Sequence, residues 1–271
     1  MKNENSIGFY LFQNLLHIIS TGYKIDNKSV FSTFQNGVKE YRNFVFLQDA
    51  VIDNDIDWVS QVENSENVLA QSNQHYKNAI FSLLQVFPTD HQFWDYLAVE
   101  EKLYYSYITK EKYNNIRKPV LEISDFEEMS YNKHNLALVP IRGMDWLFEA
   151  KASYDDIKNI FTCIFNGMQM MDDIDDFAKD LTSGQWNLLH SDVRKIITDE
   201  HLVNDENLDR FEERIFYASG LCEKYSLYAL NQYNNALINS EKLDFPDLKI
   251  WLTQIIEEVK ESIKLVNKIT Q

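Results

Sequence analysis

Cysteine, glycine and proline are all scarce in this chain of 271 residues, with 2 Cys, 7 Gly and 4 Pro. Two cysteines cannot build a disulfide framework. Cys163 and Cys222 both sit in stretches of helical periodicity, which suits buried free thiols in a reducing compartment and makes the cytoplasm the expected location. Gly and Pro well below the roughly 7% and 5% of average usage remove the turn-rich texture of sandwiches and barrels, leaving a mostly helical chain. Bases are outnumbered too, 26 Lys and Arg against 42 Asp and Glu, for a formal charge of -16. That balance repels polyphosphate backbones, and no basic stripe with interleaved aromatics stands out against it, so nucleic acid is not an expected partner. Long unbroken apolar runs are missing as well. The stretch 9–19 is interrupted by Gln13, Asn14 and His17, lacks a small-residue cleavage site and is too short to span a bilayer, so neither a signal peptide nor a transmembrane segment is expected.

What the chain does have is helical periodicity. Apolar residues recur at three- and four-residue steps from residue 9 onward, over 38–59, 68–87, 93–108, 136–148, 157–181, 211–238 and 248–269. No stretch alternates as a strand would. Breaks fall at Phe87-Pro88-Thr89-Asp90, in the polar run 110–119, at Ser183-Gly184, in the acidic stretch 198–209 and at Phe245-Pro246. They read as helix ends rather than linkers. The expected architecture is all-α: one domain over 1–271, a bundle of about eight or more helices.

Two acidic clusters grow out of the most apolar parts of this pattern, Gln48-Asp49-Ala50-Val51-Ile52-Asp53 and Gln169-Met170-Met171-Asp172-Asp173-Ile174-Asp175-Asp176 running on to Asp180. Residues three or four apart on a helix share a face, so Phe165, Gln169, Asp172, Asp176 and Asp180 form one stripe, and Phe46, Asp49 and Asp53 form another that Arg42 begins. Carboxylates leave water only when paired or bound to a metal, and like charges this close repel unless a cation compensates. Magnesium fits: it prefers oxygen, keeps several waters, and takes one or two carboxylates plus substrate phosphates. Several such ions around one diphosphate, held by Asp49, Asp53, Asp172, Asp173, Asp176 and Asp180, are the expected cofactor. The competing readings are solvated helix ends and a carboxylate-bridged di-iron bundle. The latter needs Glu-x-x-His pairs, and the chain has none.

These residues resemble the class I isoprenoid synthases, the all-helical family of trans-prenyltransferases, squalene and phytoene synthases and class I terpene cyclases. Asp49-Ala50-Val51-Ile52-Asp53 is similar to the Asp-x-x-x-Asp first motif of squalene and phytoene synthases, and the stretch from Gln169 to Gly184 to their second, with Asp176, Asp180 and Gly184 in matching places. Gln169, Asp172, Asp173 and Asp176 also resemble the second motif of chain-elongating prenyltransferases, and Asp172, Asp176 and Asp180 have the spacing of the cyclase metal triad. The resemblance implies a helical bundle around a central active-site cavity. It places Lys133, in Tyr131-Asn132-Lys133-His134, where prenyltransferases hold a diphosphate-binding lysine. Arg142, flanked by apolar residues, is a second candidate for the diphosphate oxygens, with an internal ion pair as its alternative use.

The chain also departs from the pattern. The Arg-Arg-Gly that normally follows the first motif is replaced by Asn54-Asp55-Ile56-Asp57-Trp58, and no Gly-Lys-x-x-Arg grips isopentenyl diphosphate. The expected activity is that of a terpene synthase ionising farnesyl or geranylgeranyl diphosphate. Lys133 and Arg142 would steady the leaving group, with Gln169 and the rings of Phe46, Phe165 and Trp146 against the substrate. The alternatives are head-to-head condensation, chain elongation, prenyl transfer to another acceptor, and a non-catalytic subunit that binds prenyl diphosphates or a partner synthase. A homodimer also fits, since helix-packed dimers are frequent in the resembled family.

Overall fold

A computed structural model describes residues 7–52, 67–204 and 207–270. They are almost entirely helical: α1 Ile7–Ser20, α2 Lys28–Ile52, α3 Val68–Leu84, α4 Phe93–Arg117, α5 Ile123–His134, α6 Leu138–Leu147, α7 Tyr154–Asp175, α8 Phe177–Ser183, α9 Leu188–Asp199, α10 Phe211–Ala218, α11 Leu221–Ser240 and α12 Pro246–Thr270. A 3₁₀ turn, Asn135–Ala137, joins α5 to α6. Strand among the described residues is limited to a two-residue antiparallel pair, β1 Tyr23–Lys24 with β2 Glu149–Ala150, in which Tyr23 faces Ala150. No helix among the described residues is long and apolar enough to cross a membrane.

The chain divides into two compact units, Met1–Ala98 with Pro140–Lys151, and Val99–Val139 with Ala152–Gln271. In the first, α2 and α3 pack antiparallel. Ser72 Oγ donates to Phe44 O at one end, Asn36 Nδ2 to Ser82 Oγ at the other, and Glu40 between them accepts from Asn78 and pairs with His75 at 2.8 Å. The core is aromatic: Phe87 stacks on Phe93 at 4.2 Å, and Phe34 meets Phe87 edge-on at 5.8 Å. Gly143 lets α6 come down on Phe34, since a Cβ there would stand 2.6 Å from the ring.

In the second unit α7 is the axis, packed against α5 and α11, and α11 in turn against α12. Its start is set by Ser153, whose Oγ accepts from Asp156 N at 3.1 Å, with Asp155 and Asp156 on the positive end of the helix dipole. α12 begins on Pro246, whose missing N–H costs nothing at a first helical position. Gly167 brings α7 against α11, because a Cβ there would meet the Tyr233 ring at 2.8 to 3.0 Å, and Tyr233 is itself buried against Trp251. Gly167→Ala is therefore expected to cost about 1–3 kcal/mol by overpacking. A denaturant midpoint unchanged from the parent would show that α11 can yield.

Three expected boundaries change. The polar run 110–119 does not break a helix; α4 continues through it to Arg117, because Tyr104, Tyr107 and Glu111 keep the inward spacing and no Pro intervenes before Pro119. The pattern 157–181 is two helices that meet at Asp176, and 211–238 is two helices separated by Gly220, whose φ of 80° no continuous helix permits. α5 and α9 lie where no periodic stretch was expected.

Candidate functional site

The second acidic cluster lies wholly in the second unit, at the end of α7 and along α8. Two i to i-4 bonds span the break between the helices, Asp176 N donating to Asp172 O at 2.9 Å and Asp180 N to Asp176 O at 2.8 Å. Asp172, Asp176 and Asp180 thus keep their four-residue steps although Asp176 leaves helical geometry at φ -91°, ψ 4°. Gly184, at φ 81°, caps α8.

The most buried row is offset by one residue from the expected stripe. Phe161, Phe165, Gln169, Asp173 and Phe177 face the core, while Asp172 and Asp176 are half-buried. Gln169 Nε2 donates to Asp173 Oδ1 at 2.7 Å, so the glutamine is partner to Asp173 rather than to Asp172. Burial pushes the Asp173 carboxyl well above the usual carboxylate range, against the pull of Lys133 and of the Gln169 bond. Asp180 is raised to about 7, first by burial and then by the Asp176 and Asp172 charges, with Lys133 and Lys179 opposing. Asn187 Nδ2, from the start of α9, approaches Asp180 Oδ2 at 3.4 Å. Lys179 also pairs with Asp176 at 3.6 Å.

Lys133, in the last turn of α5, is a cation that bears on both Asp173 and Asp180. It also counters the raised pKa of Tyr107, a buried α4 phenol held high by desolvation and by Glu111, whose Oε1 accepts the Tyr107 hydroxyl at 2.7 Å. Tyr107 and Glu111 were missed in the sequence because Glu111 fell inside the expected break. Their signal was the three- and four-residue spacing of Glu100, Tyr104, Tyr107 and Glu111, a row whose other end is tied down by Asn135 Nδ2 on Glu100 Oε2 at 2.7 Å. Phe165 is fully buried, one ring face covered by His134 at 5.3 Å.

The remaining candidates belong to the first unit. Asp49 and Phe46 are half-buried on α2, and Phe46 meets Phe12 edge-on at 6.5 Å. Arg42, which begins their stripe, ties α2 to α1 through Gln13 O at 3.0 Å. Asp53 lies outside the described residues, as do Asn54, Asp55, Asp57 and Trp58. Arg142 donates to Asp145 at 2.6 Å and lies over the Trp146 ring at 4.9 Å. That is the internal ion pair named above as its alternative use, and an anion would have to compete with it.

Among the described residues no three His, Cys, Asp or Glu side chains converge on one point. Magnesium held by one or two carboxylates with phosphate and water oxygens does not need three. The donor chemistry of Asp172, Asp176 and Asp180 fits that mode. Asp180, raised first by burial and then by the charges of Asp176 and Asp172, is a carboxylate whose negative form a divalent cation would stabilise. No protein-family model matches the chain, and no curated protein matches it.

Proposed function

We propose that the chain is a magnesium-dependent class I terpene synthase, with the helical bundle of that family, which ionises an allylic prenyl diphosphate and releases diphosphate. The observation that carries the reading is the row Asp172, Asp176 and Asp180, kept in step by backbone bonds between them, in which the charges of Asp172 and Asp176 bear on the buried Asp180 and Lys133 opposes them. Asp172 and Asp176, half-buried and in step, would hold magnesium, and Asp180 would complete the row. Magnesium, when bound, supplies positive charge at the departing diphosphate oxygens. Lys133 would add an ammonium against the same developing charge, and the last turn of α5 is the end of a helix that favours a cation. Gln169 holds Asp173 in place and so fixes the electrostatic background of the row. The carbocation would need walls that exclude water; Phe165 and its neighbour Phe161 are closed off in the core here and would have to be uncovered by movement of His134 or its helix to serve as such walls.

The absence of the Arg-Arg-Gly and Gly-Lys-x-x-Arg elements from the sequence favours one substrate over two, since a second diphosphate without paired cationic donors is repelled by a chain of charge -16. Farnesyl or geranylgeranyl diphosphate with magnesium is therefore expected to release diphosphate and yield a hydrocarbon or alcohol, with isopentenyl diphosphate changing little. Product identification by mass spectrometry decides. Longer prenyl diphosphates formed only with isopentenyl diphosphate would replace this reading with chain elongation, and a C30 or C40 product with head-to-head condensation. No diphosphate release from any of them would leave the non-catalytic subunit. In this reading the protein works in the cytoplasm.

A further inference from the structure

Helix α4 is two-sided in charge. Its inward row holds Glu100 and Glu111 with the buried Tyr104 and Tyr107. Its outward face presents Lys102, Lys110 and Arg117, with Leu103, Tyr113 and Ile116 exposed between them. In a chain of charge -16, residues 102–118 contain five bases, Lys102, Lys110, Lys112, Arg117 and Lys118, against the single acid Glu111, and that acid is engaged on the inward side by Tyr107. Glu128 neutralises one of them, pairing with Lys110 at 3.3 Å. Arg117 lies over the Tyr113 ring at 5.4 Å and Lys118 over Trp186 at 5.7 Å. The polar break expected after 108 hides this stripe in the sequence; the continued helix brings Lys102, Lys110 and Arg117 onto one face.

The turn that follows is built to hold its shape. Lys118 is left-handed at φ 48°, a conformation non-glycine residues adopt at a cost. Three bonds to the region of α9 pin it: Trp186 N donates to Asn115 Oδ1 at 2.8 Å, Trp186 Nε1 to Pro119 O at 2.8 Å, and Leu121 N to Ser191 Oγ at 2.9 Å. Yet Ile116 is 79% and Val120 74% exposed. Branched apolar side chains at the rim of a fixed turn, between cations, are displayed rather than frayed.

We propose that the outward face of α4 and the turn after it dock on an anionic lipid bilayer, the helix lying along the headgroups with Ile116 and Val120 in the interfacial layer. The inference does not depend on the activity proposed above. Basic side chains beside isolated apolar ones match a fluid surface that offers each its own partner, phosphate for the cations and acyl carbon for the tips. A second copy placed face to face would set Lys102, Arg117 and Lys118 against their own kind. The acids elsewhere do not forbid approach, because at physiological salt charges farther than about 8 Å from the surface are largely screened.

The full chain is to be sedimented with vesicles of phosphatidylcholine alone and of phosphatidylcholine mixed equally with phosphatidylserine, at physiological and at high salt. It is expected to partition onto the mixed vesicles at least about tenfold more than onto the neutral ones, with the difference collapsing at high salt. Arg117→Glu with Lys118→Glu should lower that partition by about 25-fold or more, at roughly fivefold for each cation lost. Ile116→Ser with Val120→Ser, at exposed positions that leave folding unchanged, should weaken it while preserving the preference for phosphatidylserine. Absence of binding to the mixed vesicles, equal binding to both kinds, or indifference to both double variants would overturn the proposal. So would retention on immobilised polyglutamate without vesicle binding, which would mark the face as a site for an acidic protein.

Discussion

Asp172→Asn and Asp176→Asn are each expected to lower the rate of diphosphate release by about a thousandfold or more, roughly 4 kcal/mol of transition-state stabilisation, while the protein stays folded. The reason is that an amide keeps the shape of the carboxylate and loses the charge that would hold the cation. Neither side chain is a keystone of the fold. Both are half-buried, the i to i-4 bonds at the α7–α8 junction run through backbone atoms, and the Lys179–Asp176 ion pair is at the surface and is worth little. A loss of metal affinity has its own signature, since the magnesium concentration for half-maximal rate should rise in each variant along with the fall in kcat. Full activity at the parent's magnesium requirement would remove these acids from the site. Unfolding of both variants would return them to a structural role.

Why the helices were legible and some of their ends were not comes down to which side of the residue carries the signal. The spans 68–87 and 248–269 nearly coincide with α3 and α12, because their apolar residues repeat at helical steps and real terminators, the Phe87-Pro88 turn and Phe245-Pro246, bound them. Over 110–117 the composition is dominated by Lys, Asn and Arg, which reads as loop, whereas the helix is decided by inward residues that are themselves polar, Tyr107 and Glu111. α5 and α9 were missed for the related reason that they are short and largely polar. Their caps were the available sign: Glu122 and Asp125 form a reciprocal capping box, and Asn187 accepts from His190 N at 3.2 Å. At the site, the acidic row could be read from spacing alone, but not the partner of Gln169. Four residues along a helix turn through about 40° and three through about 60°, so Asp172 and Asp173 are both within reach of Gln169, and only burial shows that the pair with Asp173 points inward.

The largest stability effect is expected at Asp180, and its sign follows from the direction of its shift. Burial, then Asp176 and Asp172, raise its carboxyl to about 7 in the folded chain, against about 3.9 for an unfolded aspartate. Between about pH 4 and pH 7 the folded protein keeps a proton that the unfolded chain has given up, so stability falls as pH rises through this window and the full penalty is in force at pH 8. Asp180→Asn removes the titration. It should leave stability little changed at pH 4, raise it at pH 8 by a few kcal/mol in order of magnitude, and flatten the profile between. The structure tolerates the exchange: the Asp180 contacts that close α8, from Gln185 N and Ser183 Oγ, go to the backbone carbonyl, and an amide can still offer its oxygen to Asn187. Chemical denaturation of parent and variant at pH 5 and pH 8, without metal, reads the effect directly. If the variant is the less stable protein at pH 8, the carboxylate is compensated in the folded state and the row is not an excess of charge awaiting a cation. If it is the more stable protein and also slower in diphosphate release, the fold carries that destabilising charge in the service of the site.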